Sequence, residues 1–284
     1  MAHINSHHYH QTVSLMRDFF LSKNFVEVPS QCRTSILAAC EDPSTISTYN
    51  WRGTKWPLPQ TGQMWLEYEL LTNPDTPGFF CQSTSYRNEP NPEPGRHETI
   101  FPMFEFELHG GMDALETMER ELLEFMGLGK ASDFAGDDYL NVAKNYNVQE
   151  ITNRIEEDLG EKHGSAFFLK NFPQYTSPFW NMKKDGELSK KIDVLVYGME
   201  TIGSAERSCN VDEMRHLFHT ISDGGYAQTL FDMFGKERIE KELEEFFAMD
   251  FFPRSGGGIG VTRMIRGLQK HGIIAPDTKL KKAA

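Results

Sequence analysis

Tyr86-Arg87-Asn88-Glu89 opens the stretch that decides the fold, and a proline-rich loop joins it to Arg96-His97, Phe101 and Phe104-Glu105-Phe106-Glu107. A second stretch lies near the C-terminus and reads Gly256-Gly257-Gly258-Ile259-Gly260-Val261-Thr262-Arg263. Arginine guanidinium groups bind phosphate oxygens in pairs, and glycine lets the backbone come close to a ligand. Basic residues beside a turn, with a glycine strand that leads to a further arginine, therefore predict a polyphosphate site without a P-loop.

The composition is that of a globular protein, because the chain has 284 residues, of which 39 % are hydrophobic and 12 % aromatic. No run approaches the roughly 18 apolar residues that span a bilayer, and residues 1–10 are too polar for a signal peptide. We therefore expect a cytoplasmic protein without a membrane partner. The cysteines form no CxxC pair, so we expect neither disulfides nor structural zinc, but four buried, reduced thiols: Cys32, Cys40, Cys81 and Cys209.

The formal net charge is −12, which disfavours binding to a nucleic-acid backbone. Such binding gains affinity when lysine and arginine side chains displace counterions, so an acidic protein must concentrate them on one surface. The one basic run is Lys279-Leu280-Lys281-Lys282, whose position is typical of a solvated tail. The charge therefore argues against tRNA as a partner, while a single basic face on an acidic protein stays the alternative.

Hydrophobic periodicity separates helices from strands along the chain. It predicts helices over residues 8–22, 62–71, 113–127 and 236–248, with Asp113 as the N-cap of the third. It predicts strands over residues 25–28, 78–86, 166–171 and 191–198, and a loop or hairpin over 34–59. Strands dominate the two motif regions and helices flank them, so we expect an α+β fold with a mainly antiparallel sheet.

Two carboxylates, Asp193 and Glu200, lie at the two ends of one strand-like run. Mg²⁺ prefers oxygen ligands and is usually held by one or two carboxylates together with substrate phosphates. The pair therefore predicts a magnesium site beside the polyphosphate site. On these residues alone, two exposed acids on an edge strand remain the alternative.

The two opening stretches resemble the second and third signature motifs of class II aminoacyl-tRNA synthetases. From about residue 8 to 270 the chain is similar to the Asp/Asn/Lys branch of that family. The resemblance implies the class II catalytic core. The helix and strand of residues 8–29 resemble the first motif, which in the family forms the dimer interface, so we expect a homodimer. We also expect one catalytic domain over residues 1–284, without the anticodon-binding domain of the branch.

The resemblance also assigns roles at the ATP site. Arg87 would hold the α-phosphate and stabilise the charge that develops there, and Arg263 would be the second catalytic arginine. The remaining ATP-binding residues that it implies are Glu89, Arg96, His97, Phe101, Glu200, Gly258 and Gly260. Phe101 would stack on adenine, and Arg96 or His97 would reach the γ-phosphate. Ile100 stands where the branch usually has an acid, so a shifted loop that uses Glu98 is the alternative for adenine.

Metal and amino-acid ligands follow from spacings that match the branch. Asp193, Glu200 seven residues later and Arg207 seven beyond that correspond to two acids that hold the ATP-bound Mg²⁺ and an arginine that reaches the amino acid. Gln63 matches a glutamine that contacts the amino acid, and Glu67 matches an acid of asparagine-specific members. Leu66 stands where aspartate-specific members have a lysine, which weakens aspartate as the substrate. A capped, exposed helix start is the alternative for Gln63 and Glu67.

These residues predict an ATP-dependent amino-acid ligase that forms an aminoacyl adenylate and pyrophosphate. Because no anticodon module is recognised, we expect transfer to a non-tRNA acceptor such as ammonia, as in asparagine-synthetase-like paralogues. The alternatives are tRNA aminoacylation by a minimal core and a regulatory paralogue that binds amino acid or ATP without turnover. ATP, Mg²⁺ and an amino acid are the expected ligands.

Overall fold

The computed structural model describes residues 4–29, 34–93, 98–176 and 178–277. Its helices are α1 (Ser6–Ser22), α2 (Gln63–Thr72), α3 (Met112–Phe125), α4 (Tyr139–Tyr146), α5 (Asn153–His163), α6 (Val211–Thr220), α7 (Gly225–Phe234), α8 (Lys236–Phe247) and α9 (Val261–His271). Its strands are β1 (Val26–Glu27), β2 (Thr48–Trp51), β3 (Thr54–Pro57), β4 (Gly78–Tyr86), β5 (Ile100–His109), β6 (Ala135–Asp138), β7 (Ala166–Pro173), β8 (Lys184–Asp185), β9 (Leu188–Val196), β10 (Glu200–Glu206) and β11 (Arg254–Gly260).

One large sheet organises the described part of the chain. Its strand order is β1-β4-β5-β11-β10-β9-β7-β6, with β8 paired to β9. The pairs β1–β4 and β6–β7 are parallel, and the other neighbouring pairs are antiparallel. β2 and β3 form a separate hairpin within the region predicted as a loop or hairpin. The expected α+β fold, with a mainly antiparallel sheet and flanking helices, is confirmed.

The apolar face of the sheet packs on α1, α3 and α9. Alternate residues of a strand point to opposite faces, so Phe80, Phe104 and Phe106 all reach this side. Their rings stack on Phe20 of α1 with centroid distances of 5.3–5.6 Å. This aromatic cluster fixes the orientation of β4 and β5 and leaves their other side chains to the opposite face.

The opposite face is covered by α2 and the helices α6–α8. Phe79 and Cys81, which alternate with Phe80, pack here on Leu66 and Leu70 of α2. A larger cluster surrounds Trp180, whose ring makes edge contacts with three phenylalanines: Phe218, Phe246 and Phe247. These helices form the walls above the sheet face that carries Glu105 and Glu107.

The hairpin between β9 and β10 corrects one expectation. Residues 193–200 do not form one strand, because β9 ends at Val196 and β10 begins at Glu200. Tyr197 and Gly198 turn the chain with φ of 50° and 72°. Asp193 and Glu200 are therefore brought onto neighbouring antiparallel strands instead of lying at two ends of one.

Two smaller expectations are also wrong. The N-cap of α3 is Gly111, and Asp113 lies inside the first turn, where its charge still favours the helix N-terminus. Cys40 and Cys81 are buried free thiols, but Cys209 is exposed, and Cys32 lies outside the described residues. Across residues 4–277, apart from the gaps, no helix has the length and apolar character needed to cross a membrane.

Candidate active site

Glycines of β11 form a floor on the face of the sheet that α2 and α6–α8 cover. Gly256 and Gly258 of β11 pair with Glu107 and Glu105 of β5. A Cβ atom at position 258 would lie 2.7 Å from Met103 Cε, and one at 256 would lie 2.4 Å from the carbonyl oxygen of Phe106. A Cβ at 256 would meet backbone and the Glu107 carboxylate, so this position requires glycine. A Cβ at 258 would meet the flexible ends of Met103 and Gln63, so glycine there keeps the space above the strand open.

A cavity of about 280 Å³ opens above this floor, and we call it the glycine-floored cavity. It brings together residues from six separate regions of the described part of the chain. Eight of the sixteen described residues that line it are site residues that the sequence predicts: Gln63, Arg87, Glu89, Phe101, Glu200, Gly258, Gly260 and Arg263. Glu98, the alternative adenine contact, also lines it. Arg96 and His97 lie outside the described residues, so their assignment to the γ-phosphate stays a prediction.

Arg87 enters the cavity just beyond the end of β4. Its backbone N–H donates to the carbonyl oxygen of Thr99 at 2.8 Å, which joins the two sides of the proline-rich loop. Its guanidinium donates to Ser85 Oγ at 3.2 Å and forms an ion pair with the carboxylate of Glu41. Glu41 therefore holds the arginine in place and offers a carboxylate that an incoming phosphate would replace.

Arg263 enters from the first turn of α9. Gly260, at the end of β11, is the N-cap of this helix and also lines the cavity. Arg263 Nη1 donates to the carbonyl oxygen of Glu200 at 2.6 Å and lies 3.7 Å from Glu200 Oε2. An arginine at a helix N-terminus, where backbone N–H groups also attract anions, suits a polyphosphate.

Asp193 and Glu200 flank a gap left by a glycine. A Cβ atom at Gly203 would lie 3.2 Å from Glu200 Oε1 and 3.7 Å from Asp193 Oδ1. Burial raises the pKa of Asp193 to about 7, against the attraction of Lys191, whose Nζ donates to Asp193 Oδ2 at 2.7 Å. Asp193 Oδ1 is buried and accepts no hydrogen bond from the described residues.

These two carboxylates fit a hard divalent cation. Each turns an oxygen toward the same gap, and the described residues contain no cluster of three or more acidic, histidine or cysteine side chains that would make a closed protein cage. Mg²⁺ keeps waters and substrate phosphates among its ligands and needs few protein oxygens. The expected pair is therefore brought together, although Asp193 itself faces a neighbouring chamber and not the glycine-floored cavity.

Beside Gln63 lies an ion-pair network formed by Glu67, Glu107, Arg207 and Arg254, all buried. Arg254 donates to Glu67 Oε2 through Nε at 3.0 Å and Nη2 at 2.6 Å. Arg207 donates to Glu107 through Nε at 3.3 Å and Nη2 at 3.1 Å. Two carboxylates thus face two guanidinium groups, and burial raises the pKa of Glu107 to about 7 against the attraction of Arg207.

The network rules out, for Glu67, the alternative that it belongs to an exposed helix start. Glu67 is fully buried, and its Oε1 accepts from Asn181 Nδ2 at 2.7 Å. Gln63 accepts from Arg207 Nη2 at 2.5 Å, so two of the three residues expected to contact the amino acid are in direct contact. Leu66 packs in the apolar core against β4 and lines no part of this site.

A small cavity of about 20 Å³ lies among these side chains. Its polar lining includes Glu41, Gln63, Glu67, Asn181 and Arg207. It shares Glu41, Thr61 and Gln63 with the glycine-floored cavity. The arrangement therefore places a small polar pocket next to a larger anion-binding cavity.

Several residues of the site were missed from the sequence. Glu105 is buried and accepts from Thr61 Oγ1 at 2.5 Å, from the Gly62 N–H at 2.7 Å and from the Ser83 hydroxyl, and burial raises its pKa. A usable signal was present, because Glu105 and Glu107 alternate with core phenylalanines and so must share one sheet face. Glu41 and Arg254 had no comparable signal, since their partners are distant in sequence.

Comparison with known proteins places this geometry in a family. The pattern described as "tRNA synthetases class II (D, K and N)" matches residues 5–275. The aspartate–tRNA(Asp) ligase of Pyrobaculum aerophilum is 28 % identical over 120 residues, which are 42 % of this chain and 25 % of that protein. The aspartate–tRNA(Asp/Asn) ligase of Methanopyrus kandleri is 24 % identical over 156 residues, which are 53 % of this chain and 33 % of that protein.

Solved structures share the fold. Asparaginyl-tRNA synthetase from Pyrococcus horikoshii, complexed with asparaginyl-adenylate, superimposes with a TM-score of 0.72 at 19 % identity, over 93 % of this chain and 65 % of that chain. The Entamoeba histolytica enzyme, also complexed with asparaginyl-adenylate, gives 0.70 at 19 % identity, over 93 % of this chain and 63 % of that chain. The matched part is less than two thirds of each of these relatives. The pattern match and the shared core show that the chain belongs to the class II aminoacyl-tRNA synthetase family, in the Asp, Lys and Asn branch.

Proposed function

We propose that this chain activates an amino acid with ATP, forming an aminoacyl adenylate and releasing pyrophosphate. The observation that carries the proposal is the glycine-floored cavity, in which Arg87, Arg263 and Glu200 converge above bare backbone. The small cavity next to it has about 20 Å³, room for about one water molecule, so it would receive only the end of the amino-acid side chain, while the rest of the amino acid lies in the glycine-floored cavity. Such a site accelerates the reaction by positioning the reactants and stabilising charge, so it needs no protein nucleophile.

In this proposal Arg87 holds the α-phosphate, and Arg263 with Gly258 and Gly260 holds the rest of the polyphosphate. Phe101 stacks on adenine, and Glu89 orients the nucleotide or the substrate. Asp193 and Glu200 would hold Mg²⁺, which when bound neutralises phosphate charge. Arg87 exchanges the carboxylate of Glu41 for phosphate oxygens, and its positive charge stabilises the negative charge that develops during attack by the amino-acid carboxylate.

The ion-pair network favours a side-chain amide over a carboxylate in the small cavity. When Glu67 and Glu107 are both ionised they balance the two arginines, so an additional buried carboxylate would lack a counter-charge, which is costly. Gln63 and Asn181 offer amide groups that pair with another amide. We therefore propose asparagine ahead of aspartate as the activated amino acid, with the choice resting on charge and not on Leu66.

Two acceptors for the activated acyl group are supported by different observations. The curated relatives are named as ligases of tRNA, which makes tRNA one candidate. The net charge of −12 favours the other, a non-tRNA acceptor such as ammonia. Charging of total tRNA, measured beside ammonia-dependent AMP release, separates the two.

Amino-acid-dependent ATP–pyrophosphate exchange with Mg²⁺ and without tRNA tests the proposal across the twenty amino acids. We expect exchange with asparagine at a higher kcat/KM than with aspartate. Exchange with neither would contradict the substrate assignment, and exchange with none of the twenty would contradict activation itself and favour a binding-only paralogue. Homodimer formation through α1 and β1 is a separate proposal, which sedimentation at micromolar concentration tests.

A further inference from the structure

A side chamber of about 490 Å³ adjoins the glycine-floored cavity. The function proposed above uses only the metal ligand Asp193 from its wall and gives the rest of the chamber no occupant. The two spaces share Glu41 and Arg87. The side chamber also shares Phe179 and Met182 with the small cavity, whose lining includes Glu41 as well. Three spaces therefore share Glu41 in their linings, so their occupants would lie close to one another.

The lining of the side chamber combines acids with an apolar wall. Among the described residues that line it, four are carboxylates (Glu41, Asp42, Glu156 and Asp193) and two are cationic, Arg87 and Lys191. Both cations already form ion pairs, with Glu41 and Asp193 respectively. Tyr139, Leu169, Phe172 and Phe179 form the apolar part of the wall.

Asp193 lines the chamber, but its unpartnered oxygen belongs to the proposed metal site that it shares with Glu200. The residue is 7 % exposed, and its Oδ1 is buried without a hydrogen-bond partner among the described residues. A buried polar oxygen of this kind costs free energy unless something satisfies it. Bound Mg²⁺ would satisfy this oxygen, so the chamber itself offers excess negative charge and aromatic surface in one space.

We propose that the side chamber binds the acyl acceptor, and that this acceptor is a small primary amine with an apolar or aromatic body. The inference rests on the proposed activation step and names its second substrate. An ammonium group matches the acidic lining, and aromatic faces attract cations as well as apolar groups. A nucleic-acid terminus would instead bring phosphate charge toward a surface of the same sign.

The transfer step follows from this placement. The unprotonated amine directs its lone pair at the carbonyl carbon of the adenylate, and a carbon–nitrogen bond forms. The bond between that carbon and the phosphate oxygen breaks, and AMP leaves with the electron pair. The surplus proton on nitrogen passes to water. Arg87 lies between the two spaces and would stabilise the departing AMP.

The test uses the full chain, asparagine, ATP and Mg²⁺, with ammonia, putrescine and tyramine as probe amines. Pyrophosphate exchange reports activation, and amine-dependent AMP release reports transfer. Glu156→Lys reverses a charge in the chamber wall, and Glu161→Lys makes the same change on an exposed part of α5 that does not line it. We expect saturable acceleration by tyramine or putrescine, and about a tenfold higher amine KM in Glu156→Lys alone.

The outcomes separate the inference from the function on which it rests. If the chain shows pyrophosphate exchange and charges tRNA, but no amine accelerates AMP release, the inference is overturned and the proposed activation stands. Acceleration by ammonia alone, unchanged by Glu156→Lys, would overturn the assignment of the chamber. If Glu156→Lys and Glu161→Lys raised the amine KM equally, a long-range charge effect would explain the result. Binding of the amine in the chamber would then be contradicted. Absence of exchange with every amino acid would overturn the proposed function and the inference together.

Discussion

At the residue scale, the site depends on charges that are buried in pairs. Glu67 and Arg254 are both fully buried and make two hydrogen bonds to each other. Removing one partner of such a pair leaves the other charged and unsolvated, which costs more than the pair contributes when intact. Arg215 and Glu244 form a similar pair on the surface, where solvent screens it.

The two pairs make a matched comparison. We expect Arg254→Met to lower the free energy of unfolding by about 3–5 kcal/mol, because Glu67 would lose its hydrogen-bonded counter-charge and keep only Arg207, which lies 3.7 Å away and already pairs with Glu107. Arg215→Met should lower it by less than about 1 kcal/mol. Urea denaturation at pH 7 measures both values. Equal losses in the two variants would show that the buried pair is not an energetic part of the fold.

The buried side chain of Glu119, on α3, predicts that the free energy of unfolding depends on pH. Burial raises the pKa of Glu119 to about 8, against the weaker effect of the Ser204 hydroxyl. A folded-state pKa above the unfolded value of 4.5 means that the folded protein binds this proton more tightly. The stability that Glu119 contributes is therefore present at low pH and is lost as the pH rises from about 4.5 to 8.

Glu119→Gln should remove this dependence. We expect the free energy of unfolding of the variant, relative to the unsubstituted chain, to increase by about 3 kcal/mol between pH 5 and pH 8. Urea denaturation at the two pH values measures that difference and cancels the titration of other groups. A difference that does not change with pH would mean that Glu119 titrates normally in the folded protein.

At the element scale, α8 anchors the segment that carries Glu41. Glu242 accepts hydrogen bonds from Ser35 Oγ at 3.0 Å and from the backbone N–H groups of Ile36 and Leu37 at 2.9 and 3.2 Å. Farther along the segment, Gln60 accepts from the N–H groups of residues 41 and 42, both at 2.8 Å. A carboxylate on one helix thus orders a loop that reaches all three spaces of the site.

We expect Glu242→Ala to release this anchor. The free energy of unfolding should fall by about 1–3 kcal/mol, because donors lose a charged acceptor. The amino-acid KM in pyrophosphate exchange should rise several-fold while binding of ATP alone changes little. Glu245→Ala, on the exposed face of the same helix, is the control. An equal effect of the two variants on KM would count against the anchoring role.

The glycine strand gives a second test at this scale. Gly258→Ala would set a Cβ against two flexible side-chain ends, Met103 Cε at 2.7 Å and Gln63 Nε2 at 3.2 Å. We therefore expect a folded protein with at least about a tenfold loss of exchange activity, because the methyl group occupies the floor. Gly225→Ala meets only Ser222 Cβ at 3.9 Å and should be silent. Normal exchange by Gly258→Ala would contradict the placement of the substrate above this floor.

At the scale of the whole molecule, much of the fold was predictable because it rests on local periodicity. Strand 78–86 and the helices near 8–22 and 236–248 lie where their patterns predict them. The turn at Tyr197 was not predictable, since the apolar run continues through β9 toward it. The partners of Arg254 and Glu242 were also beyond prediction, because each pair joins residues that only the folded sheet and helices bring together.

As with the fold, only part of the candidate site was predictable from the sequence. Motif spacing located Arg87, Arg263 and the glycines, and the structure brings them to one cavity. The spacing of Gln63 and Arg207 placed both near the amino acid, but their neutral network with buried glutamates emerged only from the fold. The side chamber was not predicted as a whole, since its walls come from several segments that are distant in sequence.

The most direct test of the central claim is ATP–pyrophosphate exchange by Arg263→Ala with asparagine and Mg²⁺. We expect the rate to fall at least about a hundredfold, because the variant loses a charge that holds the polyphosphate, while Arg215→Ala keeps the full rate. Exchange by Arg263→Ala at the rate of the unsubstituted chain would contradict the account, because catalysis would then not take place in the glycine-floored cavity.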